Sequence, residues 1–328
     1  MGLANMELLG LMGYFKTKIR AAGRNFLSHR PPCFYISTYT LSFETKPSLK
    51  LMRPIFIPAN INEHNQSNAL LEARLENIRA GFQCLLAGPP QVSVVIPAYN
   101  EEASILKTLS SLSKTATHRS VEFIVVNNNS NDTTAALAES TGARCILELK
   151  QGITAARNAG LAAARGKYVL NADADTLYPP HWIEQMVKPL DSAQVTCVYG
   201  RFSFLPTAGT PRLLYFFYEY IAGFIRWFNR SFREEAVNVY GFNSGFKKEQ
   251  ALQVNGFDHP PGANEDGWLA LKLRDKGFGK IKYVTNTRAL VWTTDRRIQL
   301  DGGLVKGFIK RVKRIVTNNS KYGGQSAG

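Results

Sequence analysis

Asp173 and Asp175 stand on either side of one small residue, Ala174. Side chains alternate along an extended chain, so both carboxylates project from the same side. A hard divalent cation, Mg2+ or Mn2+, accepts oxygens placed in this way together with phosphate oxygens. A second acidic pair, Glu265-Asp266, precedes Gly267-Trp268-Leu269-Ala270-Leu271-Lys272-Leu273. Acids in the first turn of a helix favour its dipole. Two carboxyls facing inward raise the pKa of one of them, and this can hold together with the helix-start reading for Asp266 beside Glu265. Arg157 and the pair Arg296-Arg297 are the cations able to face a diphosphate; the plain alternatives are a solvated helix face and an ordinary basic tail. No G-x-G-x-x-G follows the first apolar run and no G-x-x-x-x-G-K-[ST] occurs, so no glycine loop cradles phosphate here.

The elements that must position these residues begin after Gly88-Pro89-Pro90, where β-branched apolar runs alternate with helical stretches. That texture predicts βαβ units and a mostly parallel sheet. Strands are expected at 92–96, 121–126, 143–147, 167–172 and 195–204, and helices near 101–113, 132–141, 152–165 and 180–190. Three of the strands run into polar clusters: Tyr99-Asn100-Glu101-Glu102 after Pro97-Ala98, Asn127 to Asp132, and Asn171 to Asp175. One such loop is ordinarily a turn or a helix cap, and Asp132 before Thr133-Thr134 reads as a cap. Ligands of open α/β sheets bind beyond the carboxyl ends of the strands, so three polar strand ends on one edge point to a binding site.

The chain has 328 residues, 45% of them hydrophobic and 20% charged, an ordinary globular composition. Its formal net charge of +15 is unevenly spread: residues 1–53 carry +6, residues 296–328 carry +7, and the middle only +2. A DNA-binding domain has its basic stripe on its body, so nucleic acid is disfavoured, and basic tails or surface anchoring fit better. Cys33, Cys84, Cys145 and Cys197 are far apart with no C-x-x-C pair, which suggests neither zinc nor a disulfide framework and favours reduced cytoplasmic thiols. The apolar stretch Leu8 to Phe15 lacks a basic flank and a cleavage site, so it does not read as a secretory signal. Arg20, Arg24 and Arg30 lend the first segment some transit-peptide character, against the blander reading of an extension. Leu213 to Phe228 is rich in aromatics but too short to span a bilayer and interrupted by Glu219 and Arg226. It reads equally as a core or dimer helix and as an interfacial helix at an anionic membrane. Residues 1–88 are expected to form an extension, partly disordered or helical, residues 89–300 the α/β domain, and residues 301–328 a basic helix and tail.

Taken in order, these segments resemble the family 2 glycosyltransferases over roughly residues 92–297. Val94 to Glu101 is similar to the family's opening strand and base-binding turn, which brings Pro97, Tyr99, Asn100 and Glu101 to the donor. Val126 to Asp132 resembles its second strand, usually V-D-D-G-S-x-D, with Asn127 and Asn128 in place of both acids. Ala156-Arg157-Asn158-Ala159-Gly160 is similar to the A-R-N-x-G helix whose Arg faces the donor, and Asp173-Ala174-Asp175 stands where the metal motif belongs. Gly245-Phe246 through Asp258, then Glu265-Asp266, resemble the acceptor segment and the base motif. The resemblance implies a GT-A fold of Rossmann-like type, with helices on both faces of the sheet. It implies inverting transfer of a sugar from a nucleotide donor with Mn2+ or Mg2+ on Asp175 and Asp173. At Asn128 an amide oxygen can still accept the uracil imide N–H, without charge assistance, so a UDP-sugar is favoured. The Q-x-x-R-W motif of processive relatives is missing, which favours single transfer to a glycan, glycolipid or polyprenyl-linked acceptor in cell-envelope polysaccharide synthesis. The expected setting is cytoplasmic, free or peripheral on the inner face of the membrane, with a homodimer left open. The competing readings are a nucleotidyltransferase-like enzyme and a non-catalytic nucleotide-sugar-binding module.

Overall fold

A computed structural model describes residues 53–306 apart from positions 208, 301 and 305. Its main sheet has seven strands: β1 (Val92–Ala98), β2 (Val121–Asn127), β3 (Arg144–Leu147), β4 (Tyr168–Asn171), β6 (Val195–Tyr199), β8 (Ser244–Lys247) and β9 (Lys280–Tyr283). They lie in the order β3-β2-β1-β4-β8-β6-β9, and β8 alone runs antiparallel to its neighbours. A second sheet places β10 (Val291–Thr294) between β5 (Thr176–Leu177) and β7 (Phe202–Leu205). The α/β class and the mostly parallel sheet are those expected.

The period of two along each strand explains why helices cover both faces. Val92, Val94 and Ile96 of β1, with Val121, Phe123 and Val125 of β2, enter one core; Val95, Ile124 and Val126 enter the other. Before β1 lie two short helices, α1 (Ala59–Asn62) and α2 (Asn68–Glu72), then α3 (Leu75–Leu85). Onto the first face pack α3, α4 (Ile105–Ser113), α5 (Thr134–Ser140) and α7 (Trp182–Val187). Onto the second pack α6 (Ile153–Ala163), α9 (Lys248–Gln253) and α10 (Glu265–Asp275). Gly160 sets how closely α6 lies, since a Cβ there would come within 2.2 Å of a Val95 methyl. The 21-residue α8 (Arg212–Phe232) precedes β8, and α11 (Arg296–Leu300) follows β10.

Four expectations change. The strand foreseen over 195–204 is two strands in different sheets, because Asn243 captures the chain between them: its carbonyl accepts from the Gly200 N–H (2.9 Å) and its Nδ2 donates to the Arg201 carbonyl (2.7 Å). The helix foreseen from residue 101 starts at Ile105 because Asn100 has φ of 53°. Packing also begins before β1, with Ile78, Phe82 and Leu85 of α3 in the core and the Phe82 ring stacked 4.5 Å from Phe123. Each such burial contributes about 1.5–3 kcal/mol. Cys145 and Cys197 are free thiols, but Cys84 is disulfide-bonded, which removes the thiol argument for a cytoplasmic setting. Cysteine spacing along the chain carries no information about approach in space. The extension through residue 52 and the tail from 307 lie outside the described residues.

Candidate active site

The carboxyl ends of β1, β2 and β4 open into a cavity of about 790 Å3. Parallel pairing of β1 with both neighbours brings the three polar clusters side by side. Pro97, Tyr99, Glu101, Asn128, Asp173, Ala174, Asp175, Arg296 and Arg297 all line it. Asn100, Arg157, Glu265 and Asp266 do not. Asn100 instead ties the β1 turn to the β2 loop, its Oδ1 accepting the Asn131 N–H at 2.9 Å. Asn100 and Asn129 hold φ of 53° and 62°, which asparagine tolerates better than most residues.

At one end of the cavity Asp175 is the organising group. Its Oδ2 accepts from the Thr294 hydroxyl at 2.7 Å and lies 3.5 Å from Arg296 Nη2. Burial, then the neighbouring Asp173, pushes its carboxyl up to about 6. Arg296 also forms a two-pronged ion pair with Glu101, and Arg297 lies beside it on the cavity wall. Glu101 is fixed in turn, its Oε2 accepting from the Ser104 hydroxyl at 2.6 Å and its N–H donating to Thr134 Oγ1 at 2.8 Å. The oxygen-only pair Asp173 and Asp175 fits a hard dication, and such a charge would relieve the cost of ionising Asp175 in burial. Among the described residues no three metal-ligating side chains of the His, Cys, Asp and Glu type converge.

Arg157 does something other than line the donor wall. It is 1% exposed. It donates from Nη2 to Asp173 Oδ1 (2.8 Å) and from Nη1 to the Ala172 carbonyl (3.2 Å), while its Nε lies 4.0 Å from Asp266 Oδ1. One guanidinium therefore braces a carboxylate of the metal motif and a carboxylate of the base motif. Asn171 Nδ2 donates to Asp266 Oδ1 at 3.1 Å. Asp266 also opens α10, where Asn264 Oδ1 caps the helix by accepting its N–H at 2.9 Å, so the helix-start reading holds. Burial pushes the Asp266 carboxyl up to about 8; the Arg157 guanidinium pulls it down, and Glu265 and Asp173 add to the rise. Gly241 lies over both groups: a Cβ there would sit 2.2 Å from Arg157 Nη2 and 2.5 Å from Asp266 Oδ2.

Asn128 is committed within the protein. Its Nδ2 donates to the carbonyls of Glu148 (3.1 Å) and Lys150 (2.8 Å), and its Oδ1 accepts the Gly152 N–H (2.8 Å). The amide clasps the loop leading into α6. A carboxylate at this position could make only the last of these bonds, which is a physical reason for Asn here in place of the Asp of the motif it resembles.

The other end of the cavity is built by α8 and the segment 237–242, with Phe202, Phe204, Tyr218, Ile225 and Phe242 among its walls. The apolar pattern of α8 is turned outward. Tyr215, Glu219, Arg226 and Asn229 are buried, whereas Leu213, Phe217, Ile221, Phe224 and Phe232 are 47–66% exposed. Sequence reasoning passed over Tyr178, Asn238 and Gly241 and took Arg226 only as an interruption. The Tyr178 hydroxyl accepts the Asp173 N–H (2.9 Å) and donates to the Phe242 carbonyl (3.0 Å), joining the two ends. A buried arginine in an apolar segment is the one available sequence signal among these.

Residues 93–250 match the family described as Glycosyl transferase family 2. The chain is 35% identical over 118 residues to the putative glycosyltransferase EpsH of Bacillus subtilis, covering 34% of this chain and 34% of that protein. It is 36% identical over 106 residues to the undecaprenyl-phosphate 4-deoxy-4-formamido-L-arabinose transferase of Pseudomonas paraeruginosa, covering 30% and 31%. The matches thus span about a third of these curated relatives. A solved mannosyltransferase of Pyrobaculum calidifontis, in complex with GDP-Man and Mn2+, has TM-score 0.48 and 21% identity, covering 78% of this chain and 75% of that one. The profile match and the curated likenesses agree: residues 93–250 of this chain match glycosyl transferase family 2 and are similar to its curated glycosyltransferases.

Proposed function

We propose that the chain transfers a single sugar from a nucleotide donor, a UDP-sugar by preference, to a lipid-linked acceptor with inversion at the anomeric carbon. The observation that carries this reading is Arg157, which links Asp173 at the donor end to Asp266 toward the acceptor end. Asp266 takes the proton of the acceptor hydroxyl as that oxygen bonds to the anomeric carbon and the bond to the departing diphosphate breaks. A carboxyl pushed up to about 8 by burial holds a proton more strongly than an ordinary carboxylate, as a base near neutral pH requires. Arg296 and Arg297 face the departing charge. Asp175 and Asp173 would hold a Mg2+ or Mn2+, whose chemistry when bound is to neutralise diphosphate oxygens. A thermal-shift screen of UDP, GDP and TDP sugars with Mn2+ tests the donor, since a ligand selective for the folded state raises its apparent stability. Stabilisation by UDP-sugars above the others is expected; a clear purine preference would contradict it.

The lipid-linked half of this reading is supported by the outward apolar face of α8 and by the undecaprenyl-phosphate named for the Pseudomonas relative. Among the described residues no helix is long and apolar enough to cross a membrane. We therefore infer peripheral attachment through α8 at an anionic bilayer surface, with a second copy of the chain as the competing occupant. Phe224→Glu is expected to reduce salt-resistant sedimentation with vesicles. An unchanged vesicle fraction, or a shift of dimer to monomer instead, would contradict attachment.

A further inference from the structure

Among the described residues, the buried side of α8 carries a guanidinium with N–H groups that have no acceptor. Arg226 is 5% exposed, lines the aromatic end of the cavity, and has neither Nε nor Nη2 in a hydrogen bond. Its guanidinium carbon lies 4.9 Å from the centre of the Phe202 ring. Arg53, 6% exposed, stands behind it: both Nη2 atoms lie within 4.0 Å of the place a Gly223 Cβ would occupy. Burial, and next the charge of Arg226, pull the Arg53 guanidinium down to about 10. Among the described residues the carboxylate here is Glu219, which is already shared by Arg53 (3.3 Å), Arg212 (3.0 Å), the Ser203 hydroxyl and the Phe204 N–H. Buried cations are ordinarily paired, and a guanidinium N–H left without an acceptor carries its full desolvation cost. A fork of donors facing a cavity matches the oxygens of a phosphate.

We propose that Arg226, with Arg53 behind it, forms an anion subsite that holds a phosphate carried by an acceptor with an apolar chain. The phosphate is a handle that seats the acceptor, and the attacking hydroxyl lies elsewhere on it. The apolar chain follows from the walls of the same end: Phe204, Tyr218, Ile225 and Phe242 surround the place where a carrier would continue from its phosphate. The inference rests on the lipid-linked acceptor reading and adds the group that recognises it.

The test is binding of farnesyl phosphate, farnesol and inorganic phosphate to the full chain by calorimetry, with UDP and Mn2+ present to fill the donor end. Farnesyl phosphate is expected to bind best, and Arg226→Met to weaken it about 10- to 100-fold while UDP affinity stays within about twofold. Arg226→Lys, which keeps the charge without the fork, should fall between. Because the cation is unpaired in the ligand-free protein, Arg226→Met should leave the melting temperature unchanged or raise it. Equal affinity in all three proteins would overturn the subsite. Farnesol binding as tightly as farnesyl phosphate would overturn the phosphate handle, and inorganic phosphate binding as tightly would overturn the carrier. Loss of UDP-sugar turnover with Arg226-dependent binding intact would remove the donor reading and leave the subsite standing.

Discussion

The two ends of the cavity are built on opposite principles. At the strand ends Glu101, Asp175 and Asn128 face the cavity with partners in the protein itself: Glu101 pairs with Arg296, Asp175 with Thr294, and Asn128 with three backbone groups of the 148–152 loop. Under α8 a buried guanidinium faces the cavity with unbonded N–H groups, and large apolar side chains face outward. The difference teaches where preorganisation resides. The proposed donor end is tied down by ion pairs and hydrogen bonds within the protein, as charge stabilisation in a transition state demands. The proposed acceptor end would be completed by its ligand.

The largest effect expected at the donor end is from Asp175→Asn, which removes the charge that would anchor a cation. Turnover should fall about 10³-fold or more, a loss of several kcal/mol in the transition state. Full activity of this variant in EDTA would show that the donor end works by arginines alone. Arg157→Met strikes the brace between the ends. It leaves Asp173 and the buried Asp266 without their cation, so urea unfolding should show about 3–5 kcal/mol lost. An unchanged midpoint would mean that the two carboxylates are held independently. Asn128→Asp sets a carboxylate against the Glu148 and Lys150 carbonyls, and about 1–3 kcal/mol of stability should go with it. A variant that gained UDP affinity at no cost in stability would show that the 148–152 loop does not depend on this amide.

A smaller effect is the pH dependence of Asp266. Its folded carboxyl is raised to about 8, so the folded state binds the proton more tightly than the unfolded chain does. Stability from this group is fully present below about pH 4 and is lost as pH rises through about 8. Transfer should do the reverse, climbing about tenfold per unit toward about pH 8 and then levelling. Asp266→Asn should flatten the stability profile in that window. A profile of the variant that matches the unmodified protein would assign the titration to another group.

Much of the donor end was legible because it is local. β-Branched apolar runs located β1, β2 and β4 to within a few residues, and their polar ends follow directly in the chain. The Glu101 to Arg296 pair spans 195 residues, and no periodicity reports such a contact. Arg157 was legible as a functional arginine but not as a brace, since its role depends on Asp266, which β8 and α10 return to it from far along the chain. In α8 the spacing of aromatics revealed two faces without saying which one turns inward. The inward face is the polar one because Glu219 accepts from Arg53, Arg212, Ser203 and the Phe204 N–H, bonds that water would otherwise have to supply.

The central claim is that donor binding and proton removal are separate tasks assigned to the two ends that Arg157 connects. The most direct test pairs calorimetric affinity for UDP with Mn2+ and the rate of UDP release from a UDP-sugar, in the unmodified protein and in Asp266→Asn. Affinity should stay within about twofold while release falls about 10²-fold or more. Unchanged release with weakened affinity would contradict the assignment and move Asp266 to the donor end.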